Sequence, residues 1–125
     1  MKIANILSAI LGLVLATLSI QWILNPEVAA DSLGMLYLEG EGRNTQIRDF
    51  TAFFMGTSIM CFLSLITKQF QWILCAGIIF FIAAVFNVIS SFSHGAPIVF
   101  SALVSEILFT MIAVSASLIY KSNKL

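Results

Sequence analysis

Charge is scarce in this chain: only 10% of the 125 residues carry one, six basic against six acidic. A soluble domain carries about a quarter charged residues, so that class is excluded. Nucleic acid is excluded as a partner too, because no tract concentrates the basic side chains. Cysteine is scarcer still. Cys61 and Cys75 form no C-x-x-C, and both lie inside apolar runs. Counted along those runs, each lies on the order of 8 Å from one common membrane face at 1.5 Å per residue. That face is the reducing one, where structural disulfides are not expected, so both read as small buried apolar residues. The single histidine, His94, has no carboxylate at helical metal-ligand spacing, so neither a metal nor another cofactor is expected. No Cys–His or Ser–His pairing suggests nucleophilic catalysis.

What the chain does have is apolar length. Residues of the hydrophobic class make up 60% of it. Four runs, 3–24, 46–66, 70–92 and 98–120, are near or above the roughly 20 residues that cross a bilayer as a helix. They leave no room for a separate soluble domain. The expected fold is therefore an all-α integral membrane four-helix bundle, one domain over 1–125, with a long 25–45 connection. Lys2, the first run and Val28-Ala29-Ala30 imitate a cleaved signal peptide. That run, about 22 residues, exceeds the 7–15 of such a leader, so a retained span is expected. Lys2, Lys68, Lys121 and Lys124 all fall on one side of a four-span protein. By the positive-inside bias both termini are cytoplasmic, the 25–45 connection is on the outer side, and the inner (plasma) membrane is the expected location.

The connections carry their own signals. Thr67-Lys68-Gln69 forces an antiparallel hairpin between spans 2 and 3, and Pro97 suits the start of helix 4. Asn25-Pro26-Glu27 reads as an N-cap, a first-turn proline and an acid at the positive end of a short helix, stopped by Gly34. Residues 35–38 are too apolar for water and are expected to pack on the span ends, as an interfacial loop or as a lid. Glu39-Gly40-Glu41-Gly42 reads as a turn. Stripes of small residues should face the interior. They are Ser8, Gly12, Ala16 and Ser19; Ala52, Gly56 and Ser64; Ala76, Ala83, Asn87 and Ser91; Ala102, Glu106, Thr110, Ala113 and Ser117. Ile78, Ile79, Phe80, Phe81 and Leu108 are then left for lipid or neighbouring subunits.

Polar groups within the spans converge on the outer half. Gln21 lies one turn from the end of span 1, Arg48 and Asp49 open span 2, Asn87 lies late in span 3, His94 follows it, and Glu106 lies early in span 4. A lone carboxyl in hydrocarbon costs several kcal/mol, so Glu106 marks a partner or a wet cavity. Arg48 opposes the positive end of its helix and needs an acid, Asp49 or Glu106. Two readings follow. In one, Arg48–Glu106 is a structural ion pair with Asn87 bridging. In the other, Gln21, Arg48, Asp49, Asn87, His94 and Glu106 line a pocket, with Arg48 offered to an anionic or carbonyl-bearing ligand. The expected partners are membrane lipid, a lipid or quinone-like small molecule, and a membrane protein or second copy of the chain.

Gln46-Ile47-Arg48-Asp49-Phe50, Gly56, Asn87 and Ser93-His94-Gly95, with Asn25-Pro26 and Leu33-Gly34, form a pattern across nearly the whole chain. It resembles small four-span membrane proteins related to the DoxX-like superfamily. That family often has an acid where Asn87 stands, so no proton-transfer role carries over to this position. Relatives include a subunit of a quinone-linked thiosulfate oxidoreductase and a receptor-assembly chaperone, so the resemblance implies a fold and not a function. Small multidrug exporters are excluded, because span 1 has no acid. The expected role is that of an accessory or small-molecule-binding membrane protein. A membrane enzyme using Glu106 as acid/base, with Arg48 positioning a lipid or quinone-like substrate, is the first alternative. A small transporter is the second, disfavoured by a nearly apolar inner half.

Overall fold

The computed structural model describes residues 1–123, and every regular element among them is helical. In chain order these are α1 (Lys2–Leu24), α2 (Pro26–Ser32), α3 (Gly40–Thr67), α4 (Phe70–His94) and α5 (Phe100–Ser122). All but α2 are long and apolar enough to cross a membrane. The four long helices form a ring in which α1 packs on α3, α3 on α4, α4 on α5 and α5 on α1. Lys2, Lys68 and Lys121 lie at one end of the bundle, α2 and the 33–39 connection at the other. Lys124 lies outside the described residues.

Local chemistry sets where the helices stop. Pro26 disfavours helical geometry at Asn25, so α1 ends there and Pro26 opens α2. Gly34, at φ +72°, closes α2. Its N–H returns to the Asp31 carbonyl at 3.0 Å, and that of Met35 to Ala30 at 2.9 Å, a Schellman stop. Lys68 ends α3 in the left-handed region, φ 60°, and donates its ammonium to the Leu65 carbonyl at 2.7 Å. A cation suits that negative helix end. The buried Ser64 hydroxyl pins the α3–α4 hairpin by donating to the Gln69 carbonyl (2.7 Å) and accepting from the Ile73 N–H (2.8 Å).

Two boundaries differ from the sequence reading. Residues 39–42 do not form a turn: α3 already starts at Gly40 and runs 28 residues, about 42 Å at 1.5 Å per residue. That exceeds a hydrocarbon core of about 30 Å, so its first turns project beyond it. Hydropathy marks where a helix meets lipid, not where its hydrogen bonds begin. Pro97 does not open α5, which starts at Phe100.

Small residues set the helix separations. A Cβ on Gly12 would lie 2.9 Å from the Phe62 ring, and one on Gly77 would lie 3.0 Å from the Ala113 Cβ. Both glycines therefore mark close approaches, α1 to α3 and α4 to α5. The Ser58 hydroxyl crosses the first contact to donate to the Gly12 carbonyl at 2.7 Å. Several side chains lie elsewhere than expected. Phe80 is 1% exposed, at the centre of the core instead of in lipid. It belongs to the stripe Ile73, Ala76, Gly77, Phe80, Ala84, which turns inward at helical spacing. Sorting by size alone missed it, because a wide gap between helices takes a large ring. Ala52 and Cys75 point outward, whereas Cys61 is buried.

Candidate functional site

The helices line a half-open cavity of about 700 Å3 in the half of the bundle nearest α2. Its floor is aromatic. Phe53, Phe80 and Phe109 form an edge-to-face chain, with ring centroids 5.2 and 5.1 Å apart, the arrangement ring quadrupoles favour. Trp22, 2% exposed, stacks on Phe50 at 4.8 Å and makes part of the wall. The remaining wall is mainly apolar, interrupted by Gln21, Asp49, Asn87, Glu106 and three serines.

Asn87 and Glu106 meet because α4 ends and α5 begins at this end. The Asn87 amide donates to Glu106 Oε1 at 3.2 Å and to the Val99 carbonyl at 3.1 Å, while its own carbonyl accepts the Val99 N–H at 3.1 Å. Val99 is the N-cap residue of α5, which has no side-chain cap of its own. Asn87 thus holds the start of α5 onto α4 and fixes the Glu106 carboxylate against the cavity. The Thr110 hydroxyl donates to the Glu106 backbone carbonyl at 2.7 Å.

A second amide, this one buried, does parallel work at the same end of the bundle. Gln46, 4% exposed, accepts from the Leu38 N–H at 3.1 Å and donates to the Leu36 carbonyl at 3.0 Å. Arg43 adds a bond to the Leu38 carbonyl at 2.9 Å and sits 4.4 Å from the Tyr37 ring centroid. The 35–38 segment is therefore fastened to α3, with Met35 and Tyr37 packed on the core and Leu36 turned out. The sequence reading placed this segment against the span ends but did not see its clamp. The signal was a glutamine at the edge of an apolar run, too short to reach bulk water from a buried face.

The six sequence-selected residues divide. Gln21, Asp49, Asn87 and Glu106 line the cavity; Arg48 and His94 do not. The Arg48–Glu106 ion pair is not formed among the described residues. Arg48 Nε instead donates to Asp49 Oδ1 at 3.0 Å, with both side chains more than 60% exposed. The adjacent acid meets the cation's need at the projecting, solvated start of α3, so nothing drives Arg48 into the bundle. An exposed pair of this kind contributes at most about 1 kcal/mol. His94 is exposed in the last turn of α4, outside the cavity wall.

Polar packing at the opposite end was not anticipated. Asn5 Oδ1 accepts from Lys68 Nζ at 2.9 Å and from the Tyr120 hydroxyl at 3.0 Å, and Tyr120 and Ser8 share a further 3.0 Å bond. Tyr120 and Ser8 are fully buried. This cluster ties α1 to α5 and to the α3–α4 turn. No group of three or more His, Cys, Asp or Glu side chains able to hold a metal occurs among the described residues. No family model matches this chain, and comparisons with curated proteins and with solved structures return no match.

Proposed function

We propose that this chain is a multi-pass membrane protein, related to the DoxX-like superfamily, that retains one amphiphilic small molecule in the cavity nearest α2. The observation that carries this reading is the cavity itself: about 700 Å3, walled by aromatic rings, with Glu106 held at its side by Asn87. Small-molecule sites have about 300–1,000 Å3, mostly apolar lining and a few fixed polar groups. The chain of Phe53, Phe80 and Phe109 closes the floor, which supports a dead-end binding site over a through-going path. An accessory or carrier subunit is the role that fits.

Ala102 lines the cavity and is only half-buried, so Ala102→Phe fills space without entering the tight α4–α5 contact. Native mass spectrometry of protein purified in mild detergent should show a bound small molecule, lost in Ala102→Phe at similar thermal stability. No bound molecule in either protein, or equal retention in both, overturns the reading.

The proposed site opens to the extracytoplasmic side, because Lys2, Lys68 and Lys121 all lie at the other end of the bundle. With Cys61 and Cys75 replaced by alanine, an impermeant thiol reagent should label Glu41→Cys in intact cells and leave Ser122→Cys unlabelled. Labelling at position 122 reverses the orientation.

A further inference from the structure

The charge in the cavity wall is unbalanced. No Lys, Arg or His lines it among the described residues. Asn87 has no spare donor, since its two N–H groups go to Val99 and Glu106. The hydroxyls of Ser32 and Ser105 donate to the carbonyls of Ala29 and Ser101. Glu106 uses one oxygen on Asn87 and has no cation within ion-pair distance, whereas Asp49 is already paired with Arg48. Among the described residues Glu106 is therefore the one unpaired carboxylate in the wall, while the amide of Gln21, the indole N–H of Trp22 and the hydroxyl of Ser101 keep uncommitted donors.

Resting on the binding reading above, we infer that the occupant is a cationic amphiphile, a protonated amine on an apolar tail, with its ammonium seated at Glu106. A carboxylate or phosphate head would meet Glu106 with no cation in the wall to offset it. A quinone-type carbonyl could take the free donors of Gln21, Trp22 or Ser101, but it would leave the Glu106 carboxylate without a counter-charge. An ammonium supplies the missing charge and donates to the free oxygen of Glu106. The rings of Trp22, Phe53 and Phe80 take the tail, and their faces also attract a cation.

The chain has two tryptophans, so Trp72→Phe leaves Trp22 as the only indole, within the cavity wall. Reconstituted in phosphatidylcholine nanodiscs, this protein is titrated with tail-brominated alkylamine, alcohol and carboxylate of equal length. The amine should quench Trp22 saturably at about tenfold lower concentration than the other two, as a charge-assisted bond implies. Glu106→Gln keeps an oxygen for the Asn87 N–H and should erase that preference. Gln21→Arg, which adds a cation to the wall, should weaken amine binding by a similar factor and serves where Glu106→Gln does not reconstitute. Equal or tighter binding of the alcohol or carboxylate overturns the amine inference and leaves the pocket standing. An amine preference unchanged by Glu106→Gln or Gln21→Arg also overturns it. Absence of saturable quenching by all three probes overturns the pocket and the inference together.

Discussion

Asn87→Leu is expected to lower stability by about 3–5 kcal/mol, measured by reversible unfolding in mixed micelles. Three hydrogen bonds are lost at once, two to Val99 and one to Glu106. At the membrane average of about 0.6 kcal/mol each they account for roughly 2 kcal/mol. The Val99 N–H then faces an apolar side chain with nothing to donate to, which adds about 1–3 kcal/mol. Asn87→Asp should be nearly as harmful, because it removes both donors and sets a second carboxylate against Glu106. Glu106→Gln should cost far less, since an acceptor for Asn87 survives. An Asn87→Leu protein as stable as the parent would mean that the start of α5 is held by packing alone.

The second large effect belongs to the opposite end of the bundle. Asn5→Leu is expected to cost about 2–4 kcal/mol, because a bond from an ammonium and one from a buried hydroxyl lose their shared acceptor. Tyr120→Phe keeps the ring but leaves the fully buried Ser8 hydroxyl without its partner, for about 1–3 kcal/mol. Because both changes break the Asn5–Tyr120 bond, the double variant should cost less than the two singles added. Strict additivity in a double-mutant cycle would show that the cluster does not act as a unit. Stability should fall here with no change in cavity occupancy, since none of these residues lines the cavity.

These two clasps show where sequence reasoning reached and where it stopped. Residue count along an antiparallel α4–α5 pair with a short link places Asn87 and Glu106 in the same outer half of the bundle. It places Arg48 in that half as well, yet Arg48 bonds Asp49 and lies outside the cavity. Depth alone does not say which way a side chain leaves the helix. Asn5, Ser8, Tyr120 and Lys68 are far apart in sequence, and only the closing of the ring between α1 and α5 brings them together.

By itself the sequence determined four helices of membrane-spanning length, the α3–α4 hairpin and the Pro26 and Gly34 boundaries of α2. Each depends on local terms: apolar run length, loop length, and the backbone limits of proline and glycine. The tertiary structure alone decided the rotation of each helix about its axis. Through that rotation it placed Phe80 in the core, Cys75 on the surface, Arg48 outside the cavity and Glu106 in its wall. Lipid is as apolar as the bundle interior, so hydrophobicity barely separates the two faces of a span. Close contacts such as Gly77 on Ala113, and hydrogen bonds such as Asn87 to Val99, set the rotation instead.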